Sequence, residues 1–274
     1  MKIITIFSFA SLLSASTVEA LSANQRRTSQ TISRRGALIT SITSAAAVII
    51  TPKEEARAAT FGDVTAELQN SGSMPKERLD LLNAINRKAS DDEVMQAISN
   101  IELIDPSNGK AATSEFLGGE WELIYSVNAE SFSPLLNLPK PIRPSSFQLL
   151  GDSAKPVVGD GRIAQLLNFP IIPLSIILSS GAFPYEKDSS VLEIFPPFRL
   201  EAKLGGSNFK LVESGSDADF RALNARSLEA QEAGRNLYKQ RYLENTGKKG
   251  DLRISEVIAG DPVLVGVIFI HRRL

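Results

Sequence analysis

Apolar positions along this chain change their spacing near residue 118. Before it they recur every three to four residues. Thr60 and Asp63 are placed to cap a helix carrying Val64 and Leu68, and Pro75 opens a second with Leu79, Leu82 and Ile85 on one face. Ser90 and Glu93 stand at capping-box spacing before Val94, Met95, Ile98 and Ile101. These stripes predict short amphipathic helices that pack on a neighbouring element. After "DPSNGKAATSEFLGG" the period becomes two. In "EWELIYSV" Trp121, Leu123, Tyr125 and Val127 alternate with Glu120, Glu122, Ile124 and Ser126, so one apolar and one mostly wet strand face is expected. Further strands are expected at 146–150, 162–167, 191–194, 199–204, 208–213, 239–244, 252–258 and 263–272. So many short strands, punctuated by Gly and Pro, predict a mainly β (α+β) chain, an antiparallel barrel or sandwich after short N-terminal helices.

The uncharged run "LLNFPIIPLSIILSSGAF", 166–183, is barely long enough to cross a bilayer, and Pro170 and Pro173 would each cost a helix interior about 3 kcal/mol or more. It therefore reads as a strand, a proline corner and a second apolar strand or lid. Two other segments are rich in proline and aromatics, "SFSPLLNLPKPIRPSSF" and "VLEIFPPFRLEAKL". Such loops cannot continue a sheet, and either tuck onto the core or line a ligand mouth. From these three segments Phe132, Phe147, Phe169, Ile171, Ile172, Leu174, Phe195 and Phe198 are the expected ligand-lining residues. Residues 216–236 read as an exposed helix or long excursion.

Composition narrows the chemistry. The chain has 274 residues, a net charge of -1, 43% hydrophobic residues, one His and no Cys. The charge balance gives no sign of nucleic-acid binding, and without Cys there are no disulfides or thiolate metal sites. His271 has no partner base or nucleophile in sequence, and no nucleophile elbow, HExxH, Walker loop or dinucleotide fingerprint is present. Neither a metal nor a cofactor is expected, and the chain is not read as an enzyme.

The first 58 residues read as address labels. Residues 1–20 have the Lys2, apolar and small-residue pattern of a signal peptide; 21–35 carry Arg26, Arg27, Arg34 and Arg35 with no acid, as a plastid transit segment does. Residues 34–58 hold a twin arginine, a mild uncharged stretch and Ala56-Arg57-Ala58. The order resembles the presequence of a thylakoid-lumen protein in an alga with a secondary plastid, leaving 59–274 as one mature, mildly acidic domain.

Gly119-Glu120-Trp121 opens the first long strand and contains the only Trp. In lipocalin-like barrels such a Trp closes one end under a cation from the last strand, a part assigned here to Arg272. Gly119, Trp121 and Arg272 are thus the expected barrel-closing residues.

Together "RLDLLNAINR", "AISNIELIDPSNGKAATSEFLGGEWELIYSVN", "FPPFRLEAKL" and "RYLENTGKKGDLRISEVIAGDPVLVGVIFIHR" resemble the plastid lipid-associated protein (PAP/fibrillin) family over most of 76–272. The spacer "NTGKKG" is longer than the family's usual link, and 216–236 looks inserted. The resemblance implies a lipocalin-like barrel that associates peripherally with thylakoids or plastoglobules and binds or carries apolar plastid lipids, such as a prenylquinone, carotenoid or galactolipid. Stroma or plastoglobule are the alternative locations to the lumen. The competing functions are an assembly protein acting through a protein partner and a lipocalin-type enzyme on plastid lipids.

Overall fold

The computed structural model describes residues 59–60, 64–65, 74–127, 134–154, 163–195, 199–213 and 235–274. The leader segments 1–20, 21–35 and 34–58, most of the first expected helix, Phe132, Phe198 and nearly all of the 216–236 excursion lie outside these residues. All described residues belong to one compact unit, Glu54–Leu274.

Two helices precede the long strands. Helix α1 is Lys76–Asn86, entered through Pro75. Helix α2 is Asp91–Glu102, where the Ser90 hydroxyl accepts the Glu93 N–H at 3.4 Å and three acids occupy the positive end of the helix dipole. Helices of this length are marginal alone in water. Their stripes hold them: Leu81, Leu82, Ile85, Val94, Ile98 and Ile101 are fully buried. They pack in one cluster with Ile124, Tyr125, Leu252, Ile254, Ile268 and Ile270 of the sheet. Each such aliphatic side chain contributes about 1.5–3 kcal/mol on burial. Two ion pairs fix the helices: Arg78 to Glu244 at 2.6 Å, and Arg241 of the sheet to Glu102, bonded at 2.8 Å through Nη2.

The strands are β1 (Ala59–Thr60), β2 (Gly119–Val127), β3 (Ser145–Leu150), β4 (Ile163–Asn168), β5 (Leu174–Ser180), β6 (Ala182–Tyr185), β7 (Asp188–Ile194), β8 (Arg199–Leu204), β9 (Ser207–Glu213), β10 (Asn236–Leu243), β11 (Leu252–Ala259) and β12 (Ile268–Arg273). Thr60, expected at a helix start, lies in β1, which pairs with β2. The protein is mainly β, with one large antiparallel sheet in the order β6-β7-β10-β11-β12-β2-β3-β4-β5-β8-β9. No ladder joins β6 to β9, so by strand pairing the sheet is open. Only Gly181 separates β5 from β6, and β7 leads into β8, so the two pairs β5–β8 and β6–β7 form one bent hairpin. Its outer edges take β4 on β5 and β10 on β7.

Two expectations about the strands need correction, and a third, the division of the 166–183 run, holds. The expected strand 263–272 starts only at Ile268, because Asp261 organises a turn over 262–266. Its carboxylate accepts from Val263 N–H at 3.0 Å and its carbonyl from Leu264 N–H at 2.9 Å. The single apolar face expected in "EWELIYSV" is split by an irregularity where Ile270 and His271 pair with Tyr125 and Leu123. Ile124 and Tyr125 therefore both join the helix-facing cluster, whereas Trp121 and Leu123 belong to a second core. The 166–183 run divides into β4, a corner at 169–173 closed by the Phe169 N–H to Leu174 carbonyl bond of 3.0 Å, and then β5 and β6. No helix among the described residues is long and apolar enough to cross a membrane.

Candidate functional site: the Trp121 face of the sheet

Trp121 is fully buried, and its indole N–H donates to the Leu117 carbonyl at 2.9 Å. The cation that covers it comes from Arg273, 4.2 Å from the ring centroid. Arg272, assigned that part from sequence, is one residue out of phase. It faces the helix side and pairs with Glu122 at 2.5 Å. Arg273 Nη1 donates to the Gly118 carbonyl at 2.7 Å, Nη2 to the Phe116 carbonyl, and Asp251 lies 3.8 Å from Nε. Gly119 makes room for this. Its φ is +141°, and a Cβ there would run into Arg273 Nη1. Gly119, Trp121 and Arg273 thus form one packed plug beside the start of β2, with residues of the short 3₁₀ turns 111–113 and 115–117 in the same cluster.

A second guanidinium approaches the same indole. Arg253 of β11 is 1% exposed and stands 5.1 Å from the ring centroid. Its Nη2 donates to Gln148 Oε1 of β3, Gln148 donates to Gln165 of β4 at 3.2 Å, and Gln165 donates to Ser146 at 3.1 Å. Among the described residues no carboxylate pairs with Arg253, and its Nε–H has no acceptor. Burial, helped by the like charge of Arg273, pushes its pKa down to about 9. His271, directly opposite Arg253 in the β11–β12 ladder, is 2% exposed. Burial first, and then Arg253, hold its imidazole well below the usual pKa, so it is neutral, and its Nδ1 has no partner.

The same face turns apolar toward β8. Directly paired residues share a side of a sheet, so the row Trp121, Gln148, Gln165 continues into Leu178 and Leu200. The adjoining row runs Ser146, Leu167, Ile176, Ala202, Phe209. Leu167, Leu174, Ile176, Leu178, Leu200 and Ala202 are only half-buried.

The expected ligand-lining residues divide accordingly. Leu174 belongs to this apolar wall. Phe169, Ile171 and Ile172 form the corner at its end, with Ile171 65% exposed and Phe169 and Ile172 half-buried. Phe147 does not belong with them. It shares a row with Glu122 and Leu166, on the opposite side of the sheet from Trp121. Phe195 is buried edge-on to Phe183 at 5.9 Å, and its N–H bonds Gly181 beyond the far end of β5. Phe132 and Phe198 lie outside the described residues.

Arg253, Arg273, Gln148, Gln165 and His271 were not found from sequence. Period-two spacing did carry a signal, since Phe269, His271 and Arg273 alternate with Ile268, Ile270 and Arg272. Among the described residues no group of three His, Asp or Glu side chains is arranged to hold a metal. Compared with family models, with curated proteins and with solved structures, the chain matches none.

Proposed function

We propose that this chain is a non-enzymatic plastid lipid-associated protein of the PAP/fibrillin type, a lipocalin-like barrel that binds or carries apolar lipids at the surface of thylakoids or plastoglobules. The carrying observation is the half-buried wall of Leu167, Leu174, Ile176, Leu178, Leu200 and Ala202, which runs into the exposed corner Ile171-Ile172. Aliphatic surface of this kind left partly open marks an interaction site.

The barrel reading has its own support. In a flat sheet β11 and β3 would lie about 14 Å apart, three strand spacings of roughly 4.8 Å. Arg253 and Gln148 nevertheless share a hydrogen bond, and Arg253 reaches Trp121 two strands away. One cluster joins Ile163 of β4, Leu192 of β7, Tyr238 of β10 and Phe269 of β12. The bent hairpin links the two sides covalently, with β4 on one edge and β10 on the other. A sheet rolled with stagger has these features.

The lumen address rests on the leader composition alone, and mass spectrometry of the protein isolated from its plastids tests it. A mature N terminus near residue 59 supports the lumen, and one near Leu21 or Arg35 refutes it. For lipid binding, the full chain is floated with galactolipid vesicles beside an Ile171→Asp/Ile172→Asp variant. The expected result is reduced flotation of the variant with an unchanged melting curve. Equal flotation removes the corner from the reading, and no flotation or bound lipid for either protein overturns it.

One observation favours the assembly alternative. Edge strand β9 carries Phe209 and Leu211, each more than half exposed, and sheet edges of this type accept a strand from a partner. A stable protein complex lost on Leu211→Lys would support it.

A further inference from the structure

Arg253 has chemistry that the plug does not use. Arg273 already covers Trp121, donates to two carbonyls and has Asp251 beside it. Arg253 is as deeply buried and lacks a counter-ion. The groups around it are the indole of Trp121, the amide of Gln148, the neutral ring of His271 and the like charge of Arg273. A buried guanidinium normally has an anion, because removing it from water costs several kcal/mol that neutral contacts do not return. Besides Arg273 Nε, which has Asp251 at 3.8 Å, two buried polar atoms lack hydrogen-bond partners on this side of β11 and β12, Arg253 Nε and His271 Nδ1. A third, Gln240 Oε1, belongs to the residue opposite Ser255, two places along from Arg253. These groups adjoin the row that leads through Gln148 and Gln165 to Leu178 and Leu200.

We propose that the ligand is an amphiphile with a carboxylate head, its charge received by Arg253 and its apolar chain lying along the Leu167, Ile176, Leu178 and Leu200 wall. This rests on the lipid-binding reading above and changes its chemistry, from neutral apolar lipids to long-chain acids. The carboxylate would take the free Nε–H of Arg253, and His271 would present its second polar group through Nδ1. Anion binding removes the like-charge strain between Arg253 and Arg273 and satisfies the buried donor. An alcohol or ester of the same chain offers no charge and leaves the guanidinium unpaired.

The test titrates the full chain with oleic acid, oleyl alcohol and methyl oleate at pH 7.5, by calorimetry and by the fluorescence of the single Trp. Hydrogen bonds to a charged group predict at least about tenfold tighter binding of the acid than of either neutral compound. Arg253→Gln should erase that preference, so that acid and alcohol bind the variant alike, while Arg253→Lys retains part of it. Equal affinity of the wild-type chain for acid and alcohol overturns the carboxylate site and leaves the lipid reading standing. Binding of none of the three overturns both. If Arg253→Gln does not fold, the wild-type comparison still decides.

Discussion

Gly119→Ala tests the plug most directly, because the residue has no side chain of its own to lose. A Cβ at this position enters the space of Arg273 Nη1, and the backbone at φ +141° disfavours any side chain. To relieve the collision Arg273 must leave the indole face, 4.2 Å away, and with it the carbonyls of Gly118 and Phe116. The cation–π contact is worth about 0.5–2 kcal/mol, and a bond from a charged donor about 1.5–3 kcal/mol. Part of the loss is recovered if the guanidinium reaches water, and backbone strain adds about 1 kcal/mol or more. A net loss of about 3–5 kcal/mol follows, a large part of the 5–15 kcal/mol of a typical domain. Urea denaturation followed by Trp121 fluorescence and by far-ultraviolet circular dichroism measures it. The cause is isolated by a double-mutant cycle with Arg273→Ala. If Gly119 acts through Arg273, the double variant loses clearly less than the two singles combined. A Gly119→Ala protein within about 0.5 kcal/mol of wild type, or strictly additive losses, refutes the steric argument.

Other outcomes follow from the same contacts. Arg78→Met removes the partner of Glu244 while leaving that carboxylate beside Tyr242 and the Leu252 N–H, and should cost about 3–5 kcal/mol in denaturant titration. Arg272→Ala breaks the Glu122 pair on the helix side of the sheet. It should cost clearly less than Arg273→Ala in the same assay, and the reverse ranking would restore the sequence assignment. His271 has a folded pKa below its unfolded one, so its contribution is present while the ring is neutral in both states and is lost as pH falls through about 6.5. Stability should fall below that point with a slope approaching about 1.4 kcal/mol per pH unit, and the His271→Gln protein should lack this component. Glu244, whose carboxyl is raised mainly by burial, acts in the opposite direction, so wild type and variant must be compared at each pH.

The elements were readable from spacing because their signals are local. Ser90 with Glu93, the proline corner at 169–173 and the alternation in β5 each depend on neighbouring residues only. The assignment of faces was not local. In β11 the polar residues Arg253 and Ser255 alternate with Leu252 and Ile254, and both sets are buried, the aliphatic pair under α1 and α2. A like reversal put Arg272 in place of Arg273 over the indole. A strand covered on both sides has no wet face, so alternation separates its sides without saying which core each one enters. Phe147 failed for the same reason, being apolar on the side away from Trp121.

Strand β12 lies between β11 and β2, and its pairing with β2 joins residues such as Glu122 and Arg272, 150 positions apart along the chain. Helices α1 and α2 rest on Ile268 and Ile270, so their seat is incomplete until that distant segment arrives. Contacts of such separation pay their loop-closure entropy before they return any stability, and chains built on them fold slowly. For a growing polypeptide this leaves β2 with a bare edge and Trp121 without its cation through most of synthesis. The nascent chain therefore carries an unpaired strand edge beside Trp121 until its last segment is made, the condition under which strand edges mispair.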